Sequence, residues 1–369
     1  MITSDILERS VQVNDGLTET SADGAGLVFD AKYGIMFCAY MPGHQGHYGE
    51  SRGKIALSYF PASQPTNIRF VTVSEDTDVY CHNVLGLGEG RVRVFYEKNS
   101  RAEGDHAYCF KDFDFLSGTL SEERVVMVKQ EDGKLAPHGL SVKFAYLEAR
   151  GYYHHRCVNT EQIGHCEYFK GEDGYTYGAM VSYLSEVVLY RSADNGATVE
   201  PFAVYPRPVQ YEFEYRMLGG KIYAIYRTEE EVNSICFVTS DDMGKTWSEP
   251  IVLAESVSCR PRLILHNGHV LIAYNYYNAD TKNRPAIAQG RTSVRMRYGE
   301  APDANESPIV ADLYSKCGIV NMCVIDVLGD AYFAYSTSEL ALDYQNGSKR
   351  VRGKDAIRYV KLGDLSAEI

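Results

Sequence analysis

The chain of 369 residues contains no apolar run of bilayer-spanning length, one tryptophan, no Cys-x-x-Cys pair and no block of like charge. Without about 20 consecutive apolar residues there is no helical membrane span to read. The nine cysteines are odd in number and sit mostly in strand-like runs such as Ile235-Cys236-Phe237 and Met322-Cys323-Val324, which reads as reduced, buried packing rather than a disulfide framework. No HExxH or paired-cysteine spacing supports a metal site, and nothing implies a cofactor. A formal net charge of -12 argues against a nucleic-acid partner. The first residues carry Asp5 early and lack an apolar h-region, so a cytoplasmic protein is expected; a secreted one with its signal already removed would begin in the same way. No Pro/Ser-rich linker divides the chain, and one continuous domain over 1–369 is the expectation.

What is present is a repeat. An apolar strand, a turn glycine and a second alternating strand recur at Gly34, Gly90, Gly220, Gly268 and Gly329, with a tyrosine six residues after each: Tyr40, Tyr96, Tyr226, Tyr274 and Tyr335. A further hairpin turns at Gly174 without that tyrosine. Six hairpins of this kind predict an all-β, six-bladed β-propeller. The stretch at about 131–158, with a hairpin-like segment from Leu140 to Cys157 turning near Gly151, reads as an insertion or a stunted seventh blade. The last repeat is one strand short, and Arg9–Val13 is expected to supply that strand and lock the ring.

The segment Ser240–Trp247 reads Ser-Asp-Asp-Met-Gly-Lys-Thr-Trp, matching Ser-x-Asp-x-Gly-x-Thr-Trp; Ser192–Val199 repeats it without the tryptophan. Short polar side chains there bond the turn's own backbone, glycine supplies a positive φ, and tryptophan presents a large apolar face. With these turns the chain resembles the sialidase-like, Asp-box (BNR) repeat β-propeller superfamily. The resemblance implies a carbohydrate-active enzyme.

Counting eight residues back from each turn glycine gives Gly26, His82, Glu212, Arg260 and Asn321, equivalent positions at the start of the inner strands. By the resemblance, Glu212 matches the glutamate of the sialidase site, Glu214 is its neighbour on the same face, and Arg227 matches a carboxylate-binding arginine one hairpin later. Arg284 and Arg260 match positions for further arginines, whose planar fork suits a carboxylate. Departures are clear: Ser21–Leu27 lacks the first clamp arginine, Cys317–Asn321 lacks the nucleophilic tyrosine, Tyr314 comes too early, and Asp76 and Asp78 match an acid/base aspartate by position only. Histidines gather in the segments expected at the mouth: His44, His47, His82 and His138. The expected function is therefore a glycoside hydrolase removing a terminal acidic sugar of the sialic or uronic type from an oligosaccharide. Catalytic candidates are Glu212, His82 and Glu214, with Arg227, Arg260, Arg284, Asn321, His44, His47 and His138 binding substrate. A lyase acting on uronic-acid glycans through His and Tyr, and a non-catalytic glycan-binding propeller, are the alternatives.

Overall fold

The computed structural model describes residues 2–14, 22–42, 54–75, 79–100, 105–152, 163–165, 168–210, 212–228, 234–255, 260–276, 293–299, 307–315, 319–337 and 356–368. Two short strands come first, β1 (Ile2–Asp5) and β2 (Val11–Gln12). Blade 1 is the meander β3 (Ala22–Asp30), β4 (Ile35–Pro42), β5 (Ile55–Pro61) and β6 (Arg69–Ser74). Blade 2 runs β7 (Val79–Gly88), β8 (Arg91–Ser100) and β9 (Asp105–Asp114), edged by β10 (Thr119–Leu120) and β11 (Arg124–Val125). Blade 3 joins β12 (Met127–Lys129), β13 (Leu135–Pro137), the inner segments β14 (Ile163–His165) and β15 (Phe169–Lys170), and the long β16 (Thr176–Ser192) and β17 (Thr198–Gln210). Blade 4 is β18 (Phe213–Leu218), β19 (Lys221–Arg227), β20 (Ser234–Ser240) and β21 (Ile251–Glu255). Blade 5 is β22 (Arg262–His266), β23 (His269–Asn275), β24 (Ser293–Gly299) and β25 (Ile309–Tyr314). Blade 6 is β26 (Val320–Val327), β27 (Asp330–Ser336) and β28 (Ile357–Gly363), with β2 as its outer strand.

These six sheets form a closed six-bladed β-propeller. Among the described residues there are six hydrophobic clusters, and each lies between two neighbouring blades, including one between blades 6 and 1. An open fan would have one fewer. The repeated tyrosine has a constant place in this scheme. Tyr40, Tyr96, Tyr226, Tyr274 and Tyr335 are all buried, and each packs into the cluster shared with the preceding blade. In blade 3 the same place, six residues past Gly174, is filled by buried Met180 facing blade 2. A buried phenol needs a polar partner for its hydroxyl. Tyr96 donates to Glu123 at 2.7 Å, Tyr274 accepts from Arg297 Nε at 2.8 Å, and Tyr335 lies 3.2 Å from Ser10 Oγ.

The N-terminal strands stitch the ring. β2 pairs antiparallel with β28 through Val11↔Tyr359, and β1 pairs parallel with β25 through Ile2↔Ala311, so one segment edges two blades. Ile6 and Val13 are fully buried, and Arg358 donates to the carbonyls of Leu7 and Ser10 at 3.0 and 2.8 Å.

Blade 3 departs from the expected pattern twice. The hairpin expected from Leu140 to Cys157 is instead, over its described part, helix α1 (Leu140–Glu148); residues 153–160 lie outside the described set. Leu140, Val142, Phe144 and Tyr146 alternate like a strand, but the buried face carries Leu140, Lys143 and Leu147, the three- and four-residue spacing of a helix. The stretch is thus an insertion, and the described residues hold no seventh sheet. The second departure is a reversal at Leu184, whose φ is 49°. The Tyr215 hydroxyl lies 3.0 Å from Gly178 O and 3.4 Å from Tyr190 O. In one straight strand those carbonyls would be about 40 Å apart. The chain therefore doubles back at Leu184 within the strand run.

The two Ser-x-Asp-x-Gly-x-Thr segments fold alike. Ser240 Oγ bonds Asp242 Oδ1 at 2.8 Å and accepts from Gly244 N at 2.8 Å, while Thr246 N donates to Asp242 at 2.9 Å. The Ser192 turn repeats these bonds at 2.7, 2.8 and 2.8 Å. Gly244 has φ 83°, and a Cβ there would sit 2.6 Å from Ala203 Cβ, so both backbone conformation and space demand glycine. Trp247 leans on blade 3, its Nε1 donating to Val204 O at 3.1 Å and its ring edge-on to Tyr205.

Candidate functional site

The mouth is the end of the ring where the inner strands begin and the second strands finish. In blade 4 the antiparallel hairpin brings Glu212 opposite Arg227: Arg227 N donates to Glu212 O at 3.1 Å, and Arg227 Nε lies 3.1 Å from Glu212 Oε2. Both side chains are mostly covered, with Glu212 15% and Arg227 9% exposed, so their attraction is screened less than a surface pair's. The contact is an ion pair without hydrogen-bond alignment, and Glu212 Oε2 accepts no hydrogen bond from the described residues. The side chain as a whole keeps 15% of its surface exposed at the mouth.

One pleat further along β18 the character changes. Glu214 is fully buried and holds Arg216 at 2.9 Å and Arg262 of blade 5 at 3.5 Å, while Arg262 Nε donates to Met322 O of blade 6. Arg262 thus ties blade 5 to blade 4 through the carboxylate and to blade 6 through the carbonyl. A charge buried this deeply persists only when paired. Glu214 thus belongs to a buried ion cluster, whereas Glu212, one pleat nearer the mouth, is 15% exposed.

Arg260 stands two residues before Arg262, at the start of the blade 5 inner strand, and is 8% exposed. Asn321 occupies the equivalent place in blade 6 with a left-handed φ of 45°, at the irregular pairing between Val320 and Cys323. Asparagine tolerates this conformation better than most residues, and such outliers gather at functional sites. Asn275, one residue past the repeated Tyr274, is fully buried and donates to Ser293 O and Ile319 O, each at 3.2 Å, fastening blade 5 to blade 6.

The remaining expected residues divide plainly. His82 lies on β7 opposite Tyr96, and its side chain is outside the described set; so are His44, His47, Arg284, Asp76 and Asp78. His138 is not a member of the mouth. It sits between the third strand of blade 2 and the outer part of blade 3, with its backbone bonded to Val126 and Tyr108 and its ring packed on Tyr108 and Tyr190. Burial lowers its pKa to about 4, so it is a neutral core imidazole. Tyr314 is paired with Ser293 in the outer strands of blade 5. Among the described residues no group of three or more His, Cys, Asp or Glu side chains could hold a metal ion.

Sequence reasoning missed Arg216, Arg262, Glu97 and Asn275. Arg216 and Arg262 follow Glu214 and Arg260 by two residues on the same strand face, a period-2 signal available from register alone. Buried Glu97 and Asn275 each follow a repeated tyrosine by one, the place Arg227 holds in blade 4.

The same arrangement of six sheets recurs in solved structures. The Trypanosoma rangeli sialidase in complex with sialic acid superposes with TM-score 0.62 at 12% identity, covering 98% of this chain and 57% of that one. A Hadza microbial sialidase gives TM-score 0.62 at 13% identity over 95% of this chain and 66% of its own. The fold is a sialidase-like β-propeller. The chain spans less than two thirds of either sialidase, whereas a protein of unknown function from Dyadobacter fermentans matches nearly end to end, with TM-score 0.60, 12% identity and coverage of 96% and 97%. No family model and no curated protein matches this sequence.

Proposed function

We propose that this sialidase-like propeller is a glycoside hydrolase that removes a terminal acidic sugar, of the sialic or uronic acid type, from an oligosaccharide. The observation that carries the reading is the Glu212–Arg227 pair at the mouth: a carboxylate, partly exposed, held beside a guanidinium. Arg227 and Arg260 take the substrate carboxylate, since planar guanidinium groups match it bidentately. Glu212 is the acid/base: it protonates the glycosidic oxygen as the C–O bond breaks, and the hydroxyl of water ends on the anomeric carbon. The reading is supported by the likeness in fold to the Trypanosoma rangeli sialidase, whose structure is of a complex with sialic acid.

The test is incubation with a panel of sialosides and uronic-acid oligosaccharides, following new reducing ends together with near-ultraviolet absorbance. Reducing ends without absorbance, abolished by Glu212→Gln, support the proposal. Absorbance rising with cleavage reports an unsaturated uronate and replaces hydrolysis with β-elimination. Saturable binding without turnover makes the protein a glycan-binding propeller.

A further inference from the structure

Seven non-glycine residues among those described have a left-handed backbone. Glu89, Asn267 and Leu328 turn inner hairpins, Asn195 and Met243 sit in the Ser-x-Asp-x-Gly turns, and Leu184 reverses the chain within β16. Turns commonly require this conformation. Asn321 is different: it lies inside a strand, at the mouth end of β26, with φ 45°. The cause is a β-bulge. Val320 pairs with Ser336 and Cys323 with Ala334, so Asn321 and Met322 together face the single Tyr335. The inner hairpins of blades 4 and 5 pair without such a break. Bulges re-aim a side chain and are frequent beside active sites.

The bulge is held from outside its own blade. Asn275, buried at the end of β23, donates to Ile319 O at 3.2 Å, and Arg262 Nε donates to Met322 O. Blade 5 therefore grips a carbonyl on each side of Asn321. Arg262 is itself fixed by Glu214, on the strand that Glu212 leads into, so one buried network sets both mouth positions. A left-handed backbone is costly for a residue with a side chain, whereas glycine adopts it without steric cost. An asparagine here, half-buried at the mouth, is accounted for by what its amide does. That amide offers donors and an acceptor but no charge. It suits a hydroxyl rather than the carboxylate proposed for Arg227 and Arg260.

We propose that Asn321 binds a hydroxyl of the acidic sugar and so sets which sugar is accepted, and that Asn275 and Arg262 are positioning residues that hold it in the bulged conformation. The inference rests on the mouth being the sugar site, as proposed above.

The experiment titrates the full-length protein with sialic acid and with glucuronic acid by ligand-observed NMR, with the melting temperature of each variant as the check on folding. Saturable binding of one of the two is expected below roughly 10 mM. Asn321→Gly suits the left-handed backbone and should keep the fold, yet bind that sugar at least about fivefold more weakly. Asn275→Leu should weaken the same sugar, and the double variant should bind no more weakly than Asn321→Gly alone, because the loss acts through one side chain. Leu328→Gly changes the same conformation at the exposed hairpin tip of blade 6 and should leave binding unchanged. Parental binding by Asn321→Gly, an additive loss in the double variant, or no saturable binding of either sugar overturns the proposal. A parent that binds with the expected pattern but cleaves nothing in the oligosaccharide panel keeps Asn321 as a sugar contact and removes the hydrolase reading. Cleavage by Asn321→Gly at the parental KM does the reverse.

Discussion

Blade 4 and blade 6 reach the same four-strand architecture by different routes. Blade 4 is drawn from one stretch, 213–255, and its inner hairpin pairs residue by residue from Phe213↔Tyr226 to Leu218↔Lys221. Blade 6 takes its outer strand from Val11–Gln12, at the other end of the chain, and its inner strand is bulged beside left-handed Asn321. The difference separates two sources of stability. A contiguous blade depends on local turns and on its own side chains, while a borrowed strand holds the ring shut and exposes two edges if it leaves.

Removing residues 1–14 breaks that comparison most severely. It takes away both edging strands together with buried Ile6 and Val13, each worth about 1.5–3 kcal/mol, and the bonds from Arg358. A loss of about 5 kcal/mol is expected in urea denaturation, and an unchanged midpoint would refute closure by this segment. Next, Glu214→Gln leaves Arg216 and Arg262 facing a neutral amide in the interior. Losing one partner of a buried ion pair costs about 3–5 kcal/mol. Glu212→Gln, whose carboxylate has one arginine partner and is 15% exposed, should cost less, about 1–3 kcal/mol, while removing the proposed turnover. Equal destabilisation by the two substitutions would erase the distinction between the buried glutamate and the one proposed as the acid/base.

Blade 3 sharpens the comparison through pH. Lys143 on α1 is fully buried, donates to Ser182 Oγ at 2.6 Å and Ser185 Oγ at 3.2 Å beside buried Glu186, and desolvation lowers its pKa from 10.5 to about 7. The unfolded chain therefore binds more protons than the folded one between pH 7 and 10.5. For this group, stability is lowest below pH 7 and rises as pH climbs toward 10.5, by an amount on the order of a few kcal/mol. The slope of stability against pH in Lys143→Met, compared with the parent, isolates it; identical slopes would mean the ammonium is not desolvated. The last comparison concerns the two polar turns. Trp247→Ala should cost about 2–3 kcal/mol by melting, whereas Val199→Ala, at the place where the other turn lacks tryptophan, should cost about 1–2 kcal/mol. Equal costs would show that the indole contributes no more than its aliphatic counterpart.

Legibility followed locality. The turn glycines, the tyrosine six residues on, and the Ser-x-Asp-x-Gly-x-Thr segments are short-range patterns, and they gave six blades; of the five expected strand starts, Gly26 and His82 lie inside strands that begin at Ala22 and Val79. Glu212 and Arg227 were readable for the same reason, because a hairpin of known register sets them opposite each other. His138 was misassigned because a Pro-His-Gly segment does not reveal whether its ring meets solvent or two tyrosines. Helix α1 was misread because Leu140 to Tyr146 satisfies strand and helix periods together.

By itself the sequence determined which residues turn, which alternate and which strand face each side chain takes, since these follow from backbone sterics and a period of two. The tertiary structure alone decided that the tyrosines face the preceding blade, that Glu214 rather than Glu212 is paired from two blades, and that His138 is buried between two tyrosines. The reason is physical: burial and pairing depend on neighbours brought together from distant parts of the chain by ring closure, and no local period encodes their distance.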